Sequence, residues 1–200
     1  MGKKHTKTRG GKYRVSNHPK HRERASQLLQ DRHVICCTCR RVLDTFPGDG
    51  IVSVRHNLAD KRRGADDHRP VAAIGTPDPA HLVCDFCSVV GVSALYITMK
   101  LVNTLQLMSP DASDAYIRPL GPQWWACSRC AEIINRGKLN ELTDRSCFFL
   151  AHGEGIPRAH YSWFRARIVE LHRAFFEARP VGPFEPPPFS IMERLDPADQ

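Results

Sequence analysis

Cys84-Asp85-Phe86-Cys87 and Trp124-Trp125-Ala126-Cys127-Ser128-Arg129-Cys130 decide how this chain is read. Two C-x-x-C pairs flank an insert spanning residues 88–126. Each pair bends the backbone into a knuckle whose sulfurs converge, and two knuckles supply the four thiolates of one tetrahedral zinc site, with Zn–S bonds of about 2.3 Å. The insert is longer than the ~15–20 residues usual between such pairs. Two disulfides and four buried thiols are the alternatives, and the paired spacing favours the metal.

Working outward, the β-branched and aromatic stretch Ser93–Val102 and a second piece at Ala115–Arg118 read as strands, divided by the turn residues Ser109-Pro110-Asp111. The second knuckle opens into Ala131–Gly137, a short helix stopped by glycine. A knuckle, a hairpin, and a knuckle that starts a helix make a treble-clef or zinc-ribbon-like module over residues 82–151. The helix N-terminus favours thiolate at Cys127 and Cys130. A following helix, from Leu139 or Asn140 to Leu150, carries Cys147 as a core thiol beside Phe148 and Phe149. The longest helix spans 157–179, where Tyr161, Phe164, Ile168, Leu171 and Phe175 form one apolar seam. That seam is expected to pack on the zinc module; a docked protein partner or a second copy is the alternative. Residues 180–200, rich in proline, read as an extended tail, with Phe184 and Phe189 as its candidate contacts to the body. The fold class expected is a small α+β zinc-binding domain with C-terminal helices and disordered termini.

Upstream, Asn17-His18-Pro19 reads as a helix start, with Asn17 as N-cap and the helix running to about Arg32. Cys36-Cys37-Thr38-Cys39 is a third knuckle with Cys37 as a spare thiol, so residues 18–60 form a helix plus a first C-x-x-C unit. A second zinc there needs two more ligands from His33, His56, His68, His81 or Cys147. His56 is the best placed, because Ile51–Arg55 alternates like a hairpin strand that would return it to the knuckle. One zinc is expected, with Cys36, Cys39 and His56 as ligands of a second. Residues 61–81, charged and turn-rich, read as a linker.

The formal net charge of +8 has a location. Lys3, Lys4, Lys7, Arg9, Lys12, Arg14, Lys20, Arg22 and Arg24 stand against the single acid Glu23, and the remainder of the chain is balanced. Residues 1–17 offer nothing to bury and read as a disordered basic arm attracted to phosphate without regard to sequence. A solvating tail is the plainer alternative. The run Phe86–Met108 is long enough to span a bilayer, but Lys100 near its middle and Asn103 and Gln106 beyond it argue against a membrane. The start has no apolar leader, which points to the reducing cytoplasm, where paired cysteines bind metal more often than each other.

Cys84-Asp85-Phe86-Cys87-Ser88, Trp125-Ala126-Cys127 with Cys130, then Ile133, Ile134, Gly137 and Leu142, and finally Leu171, Phe175 and Arg179 resemble a group of small uncharacterised proteins common in actinobacterial genomes. Those resemble zinc-ribbon or treble-clef modules with a trailing helix. The resemblance covers residues 82–183 and implies the metal site but no activity. A weaker likeness joins Cys36-x-x-Cys39, Asp67-His68-Arg69-Pro70 and Cys84-x-x-Cys87 to the HNH nucleases, which would make His68 a general base. Those enzymes also need an asparagine and a second metal-binding histidine after the dyad, and Ser88–Val102 supplies neither. The expectation is therefore a non-enzymatic zinc protein that binds nucleic acid through its arm.

Overall fold

The computed structural model of the chain describes residues 13–29, 32–47, 52–56, 68–107 and 115–195. Helix α1 (Pro19–Ser26) starts after His18, one residue later than expected, with proline in its first turn. It stops well short of Arg32. Only Ala25 is buried, against Leu95, Ile97 and Val181, and Leu28 is exposed, so there is little apolar contact to extend the helix. Strands β1 (His33–Cys36), β2 (Leu43–Pro47) and β3 (Val52–His56) follow, with β2 and β3 paired as the expected hairpin.

The linker expected over 61–81 holds a strand instead. Strand β4 (Ala72–Thr76) is almost wholly buried. Its small residues let two neighbours approach closely, and a Cβ on Gly75 would overlap the Ser190 carbonyl oxygen. The strands expected within the central module appear in more pieces. Strand β5 (Ala94–Thr98) is buried at every position, and the chain turns at Met99–Leu101 before β6 (Val102–Leu107). Lys100 forces that break, because its ammonium cannot enter a strand buried on both faces. Strand β6 pairs with β7 (Ala115–Leu120), and β8 (Gln123–Ala126) returns to β5 with Tyr96 opposite Trp124.

Helices α2 (Ser128–Asn135) and α3 (Leu139–Glu154) meet at Gly137, whose φ of +62° is the left-handed stop expected there. Helix α3 runs four residues past the expected Leu150 and ends on a second left-handed glycine, Gly155. A 3-10 turn at Arg158–His160 leads into α4 (Tyr161–Glu177), shorter at both ends than the 157–179 expected. Ile168 and Phe175 of the seam are buried, Leu171 is partly so, and Tyr161 is exposed. The buried face also takes in His172 and Phe176, off the seam. His172 lies against the Phe86 ring and between two hydroxyls. Ser146 Oγ donates to the Leu142 carbonyl at 2.8 Å. It is therefore left to accept from His172 Nε2–H at 3.4 Å, while Nδ1 accepts from Thr143 Oγ1 at 3.3 Å.

The tail lies on the body through Phe184 and Phe189, the two contacts the sequence suggested, but as strands rather than as an irregular extension. Strands β9 (Pro180–Phe184) and β10 (Ser190–Arg194) each complete a sheet, giving the orders β8-β5-β9 and β1-β4-β10, all antiparallel. Both lie at sheet edges, where the prolines of β9 are tolerated. One short segment thus ties the two halves together. At the other terminus the arm is bound as far as Tyr13, whose ring packs on Phe176 at 5.1 Å. Ser16 N–H donates to the Pro180 carbonyl at 2.9 Å, and Gly182 N–H to the Ser16 carbonyl at 3.3 Å. The disordered arm expected over 1–17 therefore cannot include residues 13–17; residues 1–12, like 196–200, lie outside the described residues. Among the described residues no helix is long and apolar enough to cross a membrane.

Candidate metal centres

The Cys84 knuckle is made by the backbone. Ser88, left-handed at φ +58°, donates its N–H to the Cys84 carbonyl at 2.8 Å, and Cys84 N–H donates to Val89 O at 2.9 Å. Asp85 ties the knuckle to β8: its N–H donates to Trp125 O at 2.9 Å, and Trp125 N–H donates back to Asp85 Oδ2 at 2.6 Å. Strand β8 runs straight into Cys127, the N-cap of α2, with Cys130 in the first turn. Residues from distant parts of the chain so meet at one point.

All four sulfurs are buried and lie within 4.8 Å of one another, and every cysteine is a free thiol. Cys87 Sγ and Cys127 Sγ are 3.7 Å apart. A tetrahedron with bonds of about 2.3 Å has edges of about 3.8 Å, whereas a disulfide needs about 2.05 Å. The donors therefore fit a tetrahedral ion. Contact with the Cys127 sulfur pushes Cys130 and Cys84 up, and the thiols of Cys130, Cys84 and Cys87 pull Cys127 well down. Cys87, raised by Cys127 but lowered by Cys130 and Cys84, sits at about 7. Crowded thiols share protons, and a divalent cation can replace them. Arg145, which stacks on the Phe149 ring, reaches Cys127 Sγ at 3.8 Å and offsets part of the negative charge.

The first C-x-x-C repeats this geometry. Arg40, left-handed at φ +59°, donates N–H to the Cys36 carbonyl at 2.7 Å, and Cys36 N–H donates to Arg41 O at 2.8 Å. Bridges Ile35–Val42 and Val83–Val90 close the two knuckles alike. Here the other donors are histidines. His56, at the end of β3, places Nε2 3.4 Å from Cys39 Sγ, and His68, just ahead of β4, places Nε2 3.4 Å from Cys36 Sγ. The two rings meet edge to face at 4.7 Å. A tetrahedral zinc with sulfur and imidazole ligands has S···N edges of about 3.6 Å. Burial pushes the Cys36 thiol up, but backbone hydrogen bonds at Val71 and Cys39 and the two imidazoles outweigh it and bring it to about 6. Burial raises Cys39.

The structure thus brings His56 to Cys36 and Cys39 and adds His68, which had been one candidate among several. His81 stays outside the cluster and braces it, its Nδ1–H donating to the Cys39 carbonyl at 2.9 Å. His33, Cys37 and Cys147 also lie outside both clusters, Cys147 fully buried in α3. Of the basic residues, Lys3, Lys4, Lys7, Arg9 and Lys12 fall outside the described residues. Arg14, Lys20 and Arg24 are exposed. Arg22 is held in place, donating to the Pro183 carbonyl at 3.1 Å and lying over the Phe184 ring. Comparison of the chain with family models, with curated proteins and with solved structures yields no match.

Proposed function

We propose that this chain is a two-zinc, non-enzymatic protein that binds nucleic acid through its basic N-terminal segment. The observation that supports it is the donor count. Each cluster offers four protein ligands of the sulfur and imidazole type that suits zinc, and a site closed by four protein ligands keeps no position for a substrate or a reactive water. In this reading Cys84, Cys87, Cys127 and Cys130 hold a treble-clef-like module, in line with its resemblance to the actinobacterial zinc-ribbon proteins. Cys36, Cys39, His56 and His68 hold the other half. His68 is then a ligand rather than the base of an HNH-like nuclease. Free thiols in such sites suit a reducing cytoplasm.

The arm supplies attraction to phosphate. Residues 13–24 are seated on the body, so the deletion that tests the arm ends at residue 12. It removes Lys3, Lys4, Lys7, Arg9 and Lys12. Loss of five cations lowers the slope of log affinity against log salt on duplex DNA by roughly 4. An unchanged slope rejects the arm, and metal-dependent nicking of plasmid DNA that disappears in His68→Ala favours the nuclease.

A further inference from the structure

A cavity of about 650 Å³ opens where the arm joins the body, a volume in the range that takes a small organic ligand. Cations reach it from four directions: Arg14 from the arm, Arg24 from α1, Lys100 from the turn after β5, and Arg179 from the end of α4. His21 completes the ring, and among the described residues no carboxylate lines it. Val15, Met99, Pro180 and the largely buried Phe176 give it an apolar part to its lining.

Several arginines elsewhere pair with carboxylates, while others among the described residues, such as Arg158 and Arg173, do not. Arg129 and Arg136 share Glu132 and Glu141, Arg165 pairs with Asp144 at 2.7 Å, and Arg167 pairs with Glu170 at 2.7 Å. Among the described residues, Arg14, Arg24, Lys100 and Arg179 have no such ion pair. The segments that carry them are tied together: Ser16 Oγ lies 2.7 Å from the His21 Nδ1 of α1, and Met99 N–H donates to the Ala178 carbonyl at 2.9 Å. Arg179 is left-handed at φ +57°, a conformation that costs a non-glycine residue energy and that collects at binding sites.

We infer that this cavity is a seat for one nucleoside phosphate, its phosphate held among the four cations and its base against the apolar lining that includes Val15, Met99 and Pro180. The ligand is either a free nucleotide or a nucleotide at the end of a strand. The second source rests on the nucleic-acid reading above; the first does not. The arm attracts a polyanion over a distance, whereas the cavity holds one residue of it at a fixed place.

The test is calorimetric titration of the zinc-loaded chain with inorganic phosphate, adenosine, AMP, and an oligothymidylate with and without a 5′-phosphate. The proteins compared are the full chain, the chain lacking residues 1–12, the double variant Arg24→Gln/Lys100→Gln, and Arg179→Gln as an independent variant. AMP is expected to bind once per chain and adenosine much more weakly. Each set of cavity substitutions is expected to weaken AMP roughly tenfold or more, as for lost charge-assisted hydrogen bonds. Removal of residues 1–12 is expected to leave AMP binding in place. Preference for the 5′-phosphorylated oligonucleotide, lost in the cavity variants, identifies the strand end as the source. AMP binding without oligonucleotide binding keeps the seat, assigns it to the free nucleotide and removes the nucleic-acid reading. If AMP does not bind, or binds the variants as well as the parent, the seat is overturned, even where removal of residues 1–12 still abolishes binding of the oligonucleotide.

Discussion

Gly137→Ala tests how the arm is fastened to the body. Gly137 is left-handed at φ +62°, and a Cβ there would overlap the carbonyl oxygen of Tyr13. Two costs follow, and they can be separated. The left-handed backbone costs an alanine about 1–2 kcal/mol whatever surrounds it. The overlap also expels the Tyr13 backbone. With it go the ring contact on Phe176, worth about 0.5–1.5 kcal/mol beyond buried area, and part of the Ser16 hydrogen bonding. In the full chain the substitution should therefore cost about 2–4 kcal/mol in urea unfolding with zinc in excess. In a chain that starts at Asn17 it should cost only the backbone part, about 1–2 kcal/mol. The difference between the two backgrounds is the coupling energy of the anchor. Equal costs in both would refute the seating of Tyr13 against Gly137, and with it the placement of Arg14 at the cavity.

His68→Ala should lower the zinc content by one per chain, while His68→Cys, which restores a donor, should recover it; a content unaffected by His68→Ala removes this histidine from the ligand set. Arg145→Leu should speed release of zinc to a chelator roughly tenfold, because the guanidinium that offsets the charge at Cys127 is gone, and an unchanged release rate contradicts that role. His172 sets a pH dependence. Burial pulls it from 6.5 to about 3, so it stays neutral in the folded chain, while the unfolded chain takes up a proton below pH 6.5. The stability it permits is complete above pH 6.5 and falls with pH towards 3, by up to about 1.4 kcal/mol per pH unit. His172→Gln should flatten that part of the acid slope relative to the parent, measured by urea unfolding at fixed zinc, and parallel slopes contradict it.

The four-cysteine cluster was legible because each half of it is a local C-x-x-C motif whose spacing alone makes a knuckle. Gly137 was legible for a similar reason, being a helix stop written in one residue. The second cluster was legible only by half. Its knuckle shows in Cys36 and Cys39, but its histidines stand at 56 and 68, far apart for the H-x₃₋₅-H spacing of familiar zinc motifs. Only the pairing of β2 with β3 and the placement of β4 decide which histidines arrive. Strand β4 was hidden because its apolar run, Val71–Ile74, is too short to show a period among charged and proline-rich neighbours. Strands β9 and β10 were hidden more deeply. They are edge strands whose ladder partners, β5 and β4, lie far back in the chain, so the prolines and the two phenylalanines suggested a tail against the body but not its strands. The cationic cavity has no linear signature, since its charges come from four separate segments.

The most direct test of the two-centre account is the metal content of chain purified under reducing conditions without added metal, read by native mass spectrometry and by elemental analysis. Two zinc ions per chain are expected, falling to one in Cys36→Ser/Cys39→Ser and to one in Cys127→Ser/Cys130→Ser. A metal-free chain that unfolds with the same cooperativity and midpoint whether or not zinc is supplied would contradict it.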